Sequence, residues 1–327
     1  LDTRNYARLA DIPLLEPATV QEAKDMTRFA FGLSEELGLI CMLRTVTRLS
    51  HSRGVVTLEP VRAQKRTAEF SSQEMWTSGS SSITCMLHGV LHDKLKSAEN
   101  KFEGSEFNQY VGKEDAEFMI VTSGTGWLYS LEAVKLLNLQ DDAGILKLGT
   151  TWPLPTKLLT THLKHAKEVL FIEETDPFLE QNVKIAAAGL LADGLAPIKF
   201  YGQSSNHVRG ESGAGTGELS VDTVVKALTR IRRIEYSSRG SGYTEKVQET
   251  VGSYSPPRSM SFCAGCPHRA SFWSIYKAIK WHGQDVIVAG DIGCYSLGLL
   301  PTGFSVEKTL HCMGAGLGVA NGFGNLK

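Results

Sequence analysis

The sequence predicts an α/β protein built from parallel βαβ units. Three observations predict it. Short apolar runs recur at 118–121, 144–149 and 168–173. Each is followed by a segment with apolar residues at helical spacing. Glycine or Asp-Pro turns separate them, the punctuation of strand-to-helix crossovers in a parallel sheet. The chain has 327 residues, 42% hydrophobic, with a net charge of -1. That length suits two or three domains. The near-zero charge gives a nucleic-acid partner no electrostatic support, and no apolar run approaches the roughly 20 residues of a membrane span. Without an apolar leader at Leu1-Asp2-Thr3-Arg4, the expected location is the cytoplasm. The absence of an initiator Met and the ending at Gly324-Asn325-Leu326-Lys327 read as cuts through a longer protein.

Residues 1–55 read as helix, strand and loop. Glu16-Pro17 marks a helix start. Ala23, Met26, Ala30, Leu33 and Leu37 then recur at helical spacing, and Gly38 is the stop. Leu39–Arg44 reads as a short strand. The loop from Arg44 to Gly54, with three Arg and His51, is either a solvated polar loop or a seat for an anion. Residues 56–116 read as a connecting arm with one helix near 87–98. In 117–205, Phe118–Val121 is a strand ending in Thr122-Ser123-Gly124-Thr125-Gly126. That turn lacks the third glycine and distant acid of a dinucleotide fingerprint, so tight strand-to-helix packing explains it. A helix carrying Leu128, Leu131, Val134 and Leu137 follows. The next elements are a strand at 144–149, a helix carrying Leu158, Leu159, His162 and Leu163, and a strand ending in Glu173. Asp176 is the expected N-cap of a further helix, with Pro177 in its first turn. Residues 206–257 read as a helix near 221–231 and a polar linker.

Residues 258–327 hold four of the six cysteines: Cys263, Cys266, Cys294 and Cys312. Cys263-Ala264-Gly265-Cys266 opens a helix at Pro267, and an apolar strand then runs into Gly290-Asp291-Ile292-Gly293-Cys294-Tyr295. The residues alone leave three readings open for the thiols: metal ligation, a redox pair at a helix N-terminus, or buried packing. A four-thiolate zinc site would want a second Cys-x-x-Cys, which is absent. Asp291 at a strand end suits Mg²⁺ or a ligand hydrogen bond, or makes an ordinary turn. Small residues after Met313, beginning with Gly314, could open a helix to a phosphate or serve close packing.

These same markers, with Val121-Thr122-Ser123-Gly124 and Glu173-Glu174-Thr175-Asp176-Pro177-Phe178, resemble the thiamine-dependent 2-oxoacid:ferredoxin oxidoreductases, most closely the alpha subunit of the indolepyruvate branch. The resemblance implies α/β domains of the thiamine-diphosphate enzyme type. Residues 1–55 would end a pyrimidine-binding domain, 117–205 form a transketolase-C-terminal-like domain, and 258–327 begin a diphosphate-binding domain. It implies oxidative decarboxylation of an aryl 2-oxoacid to an acyl-CoA, with coenzyme A as substrate, ferredoxin as acceptor and a beta subunit as partner. The implied cofactors are thiamine diphosphate, Mg²⁺ and [4Fe–4S] clusters. Asp291, Gly293, Cys294, Met313 and Gly314 would line the cofactor site, and Cys263, Cys266 and Cys294 would ligate a cluster. No catalytic residue is expected within the chain: the activating glutamate would precede Leu1, and the family's Mg²⁺ motif would follow Lys327. Two alternatives stand beside this: another 2-oxoacid branch, or a non-catalytic Cys-x-x-Cys metal-binding α/β module.

Overall fold

The computed structural model describes every residue except 1, 61–78, 193, 195, 211–215, 238, 241, 256–258 and 327. The chain divides into two units, Leu1–Tyr236 and Ser237–Lys327.

The first unit begins with helix α1 (Arg4–Leu9), strand β1 (Leu14–Leu15), helix α2 (Val20–Leu37), strand β2 (Met42–Leu43) and the short helix α3 (Thr47–Ser50). Helix α2 starts later than Glu16-Pro17 implies. Thr19 is its N-cap, its side chain accepting from the Glu22 N–H, while the Glu22 carboxylate returns to the Ala18 N–H. That pair satisfies one orphan donor of the first turn and ties down the N–H of the residue just before the cap. Gly38, at φ +57°, ends the helix in the left-handed conformation, and Met26, Ala30 and Leu33 form its buried stripe. Helix α4 (Ser81–Glu103) is longer than the sequence suggested, and strand β3 (Gln109–Gly112) follows it.

The main sheet is then laid down by β4 (Phe118–Thr122), α5 (Gly126–Leu136), β5 (Ala143–Lys147), β6 (Thr150–Trp152), α6 (Thr156–Leu163), β7 (Glu168–Ile172), α7 (Phe178–Ala192), β8 (Lys199–Tyr201) and α8 (Val221–Arg232). Its strand order is β3-β5-β4-β7-β8. All neighbours are parallel except the edge pair β3–β5. Strand alternation sorts the core onto two faces. Phe118 and Ile120 of β4 pack with α5 and α8, while Met119 and Val121 pack with α6 and α7. The expected parallel sheet with helices on both faces is therefore present. One strand leaves it: β6 pairs antiparallel with β1, which is parallel to β2.

Two local readings change. The buried face of α5 carries Trp127, Ser130, Ala133 and Val134, whereas Leu128 is exposed. The first N–H groups of α7 are held by Glu173, not Asp176: its carboxylate accepts from Leu179 N at 2.7 Å and Glu180 N at 2.9 Å.

The second unit comprises α9 (Tyr243–Tyr254), α10 (Pro267–His282), β9 (Val288–Gly290), two short 3₁₀ turns (Cys294–Leu299 and Pro301–Gly303), β10 (Glu307–Leu310) and α11 (Ala315–Gly324). Strands β9 and β10 are parallel. Phe262, Phe272 and Val306 form its small core. Helix α9 lies in what the sequence presented as linker, and none of its residues is buried.

Candidate functional site

The expected cofactor residues collect where β9 and β10 end. Strand β9 finishes at Gly290, Asp291 follows, and Gly293-Cys294 opens the first 3₁₀ turn. Strand β10 runs into Met313 and Gly314, and α11 begins at Ala315. Ligands of parallel α/β sheets bind at such carboxyl edges. Gly314 is the N-cap of α11 at φ +83°, which favours glycine, and no side chain caps the helix from that position. Met313 is 78% exposed. Asp291 closes the edge by accepting the Gly316 N–H on Oδ1. A Cβ on Gly316 would lie 2.9 Å from that oxygen, so the close approach depends on glycine.

Beneath this loop lies Glu307. It is buried, and its Oε2 has no hydrogen-bond partner. Burial first, then the nearby Asp291 carboxylate, push its carboxyl above the usual range. A Cβ on Gly298 would stand 2.9 Å from the Glu307 carboxyl carbon, so this side chain is folded over glycines. The edge thus carries carboxylates as well as a helix start. A bare anion would face Asp291; a diphosphate accompanied by Mg²⁺ fits, because the cation joins carboxylate to phosphate.

Gly293 answers a local packing need. Its backbone is extended, and a Cβ would meet the Tyr295 ring at 2.9 Å. The Tyr295 ring in turn lies 5.9 Å from the His268 ring, linking the Cys294 turn to the start of α10.

The thiols are all free. Cys263 and Cys266 span a turn closed by the Cys266 N–H to the Cys263 carbonyl at 3.2 Å, and Cys266 is the N-cap of α10. Cys263, Cys294 and Cys312 are exposed and Cys266 half-buried. Among the described residues no three His, Cys, Asp or Glu side chains gather as a metal-binding group. Cys263, Cys266 and Cys294 are thus not gathered as such a group in this structure.

The first unit holds a charged cluster that sequence reading passed over. Arg4 is fully buried. Its guanidinium pairs with Asp2 at 2.5 Å and with Glu173 at 2.7 Å, and also donates to the carbonyls of Glu174 and Asp176. Arg44 donates to Glu16 at 2.6 Å and to Thr175 at 2.9 Å. Arg48 reaches Glu218 at 2.6 Å. Two arginines of the loop after β2 are thus engaged in ion pairs. Burial pushes the Glu173 carboxyl up, to about 7, against the pull of Arg4 and two backbone N–H groups. The Asp2 carboxyl is held below its usual value, the Arg4 contacts outweighing burial. The only sequence signal for this cluster was the run Glu173-Glu174-Thr175-Asp176; its partner Arg4 lies 169 residues earlier.

Fold and edge together define a parallel-sheet α/β protein whose second unit presents a strand–loop–helix edge at the ends of β9 and β10. Across 99% of its length the chain is 34% identical to indolepyruvate oxidoreductase subunit IorA of Archaeoglobus fulgidus, covering 49% of that protein. Across 98% it is 36% identical to the IorA subunit of Pyrococcus horikoshii, covering 48%. The resemblance carried by the motifs thus extends along nearly the whole chain, and the chain spans about half the length of these curated relatives. No family model matches. Among solved structures, a 2-oxoglutarate:ferredoxin oxidoreductase from Magnetococcus marinus aligns at 16% identity over 48% of this chain and 24% of that one, with a TM-score of 0.33. Among the described residues no helix is long and apolar enough to cross a membrane.

Proposed function

We propose that the chain is part of a thiamine diphosphate-dependent oxidoreductase that decarboxylates and oxidises aryl 2-oxoacids of the indolepyruvate type to acyl-CoA, with ferredoxin as electron acceptor. The observation that carries this reading is the 32–36% identity to IorA subunits, sustained over 98–99% of the chain. The working enzyme comprises the whole subunit and a beta subunit, placed in the cytoplasm.

Bound thiamine diphosphate supplies the nucleophilic carbon and the electron sink that a 2-oxoacid decarboxylation needs. The residues of this chain bind and orient. The start of α11, from Gly314 to Gly316, offers backbone and helix dipole to the diphosphate. Asp291 holds that helix start through Gly316, and its carboxylate would add a negative charge beside the cation that accompanies the diphosphate. Met313 offers an exposed apolar side chain to the cofactor's rings. Gly293 and Cys294 form the facing wall. The [4Fe–4S] clusters that pass electrons to ferredoxin are assigned to other parts of the whole protein.

The test is to produce the full-length subunit with its beta subunit anaerobically. Reduction of ferredoxin is then followed with indolepyruvate, pyruvate or 2-oxoglutarate, with and without coenzyme A and thiamine diphosphate. Cofactor- and coenzyme A-dependent turnover that favours the aryl substrate is the expected result. Preference for pyruvate or 2-oxoglutarate would move the protein to another branch, and no turnover with any of them would overturn the reading.

A further inference from the structure

The Cys263–Cys266 turn does not join Cys294 in a metal-binding group, yet it has the form of a dithiol that closes on itself. The Cys266 N–H meets the Cys263 carbonyl at 3.2 Å. Gly265, the third residue of the turn, has φ +71°, the conformation a type II turn requires there. Such a turn brings its outer Cα atoms within about 7 Å, near the upper end of the span a disulfide bridges. A Cβ on Gly265 would meet nothing within 4 Å, so the turn has room to adjust. Both cysteines line an open cavity of about 860 Å³ that also includes Arg269, Trp273 and Phe304. Cys266 Sγ lies 3.5 Å from His268 Nδ1 at the start of α10, on the margin of the small core of Phe262, Phe272 and Val306. The thiols are free, one exposed and one half-buried.

We infer that Cys263 and Cys266 form a reversible redox pair, a dithiol that a small-molecule disulfide oxidises to an intraloop disulfide. Sulfur of the exposed Cys263 attacks the external disulfide, forming a mixed disulfide and expelling one thiolate, which takes up the proton Cys263 gave up. Sulfur of Cys266 then attacks Cys263 Sγ, expelling the second thiolate, which takes up the Cys266 proton. Two protein thiols are oxidised and one external disulfide is reduced to two thiols. The new bond clamps the turn that begins α10. The cavity admits an oxidant of glutathione size, and Arg269 in its wall suits the carboxylates of such a molecule.

The test uses the full-length subunit, treated with oxidised glutathione, alkylated with iodoacetamide and mapped by mass spectrometry. The peptide containing Cys263 and Cys266 should lose two hydrogens, resist alkylation and regain both thiols with dithiothreitol. Cys263→Ser should abolish the linkage, and Cys294→Ser should leave it intact. Full alkylation of Cys263 and Cys266 while the exposed Cys312 or Cys85 becomes glutathionylated would overturn the proposal, as would a disulfide joining Cys294 to either. Anaerobically purified protein whose iron content falls in both Cys263→Ser and Cys294→Ser would also overturn it, in favour of metal ligation. None of these readouts depends on substrate turnover, so they fail or succeed separately from the proposed activity.

Discussion

Glu173 carries more of the first unit's order than any residue the sequence singled out. One buried carboxylate receives two α7 backbone N–H groups and the Arg4 guanidinium. Glu173→Gln keeps the shape but replaces an acceptor oxygen with a donor and removes one of the carboxylates that pair with the buried Arg4, leaving Asp2 at 2.5 Å. Removing one partner of a buried pair costs about 3 to 5 kcal/mol, so urea denaturation should show the midpoint falling with little change in slope. A loss below about 1 kcal/mol would mean that solvent reaches the cluster. The same carboxyl sets a pH dependence. Its folded value of about 7 stands above the ordinary 4.5. Between those values the folded state binds more protons than the unfolded one, so this group's contribution to stability falls as pH rises through that window and levels off above it. Denaturation midpoints measured across the window should show this slope in the parent and not in Glu173→Gln. At the candidate site, Asp291→Ala removes both the Gly316 partner and the carboxylate at the end of β9. Calorimetry on the full-length subunit should show thiamine diphosphate affinity reduced at least tenfold; unchanged affinity would take Asp291 out of the site.

Strand-to-helix joints obey backbone space more than composition. Gly126 begins α5 where a Cβ would stand 2.9 Å from the Ile172 carbonyl oxygen. Gly126→Ala should therefore cost about 1 to 3 kcal/mol, the usual penalty of overpacking. Gly252 in α9 has nothing within 4 Å of a Cβ, so Gly252→Ala should gain about 0.5 to 1 kcal/mol from helix propensity. Opposite signs in denaturation are the expected outcome, and equal effects would contradict the packing. Short apolar runs made β4, β5 and β7 readable, and Gly38 marked a helix end. Helix α9 was not readable because Tyr243, Val247, Val251 and Tyr254 are exposed and bury no stripe. The helical period was right for α5, yet its face was not: the sheet chose Trp127, Ala133 and Val134 over Leu128.

At the scale of the whole chain, the large apolar clusters belong to residues 1–236, and the second unit has a three-residue buried core. A chain of residues 1–236 made alone should unfold cooperatively, with hydrogen-exchange protection in β4, β5 and β7 matching that of the intact chain. Gradual unfolding of this piece would show that the first unit depends on the second.

Sequence by itself determined the α/β class, the parallel strands of 117–200 and the run of motifs shared with the IorA subunits. Those follow from periodicities and turns that act over a few residues, and from residue order along one chain. Tertiary structure decided the rest. It sent β6 to a second sheet, joined Arg4 to Glu173, gave Asp291 a helix to cap, and left Cys294 out of any metal-binding group with Cys263 and Cys266. Each of these depends on which distant segments meet, and desolvation then selects partners that local spacing does not reveal.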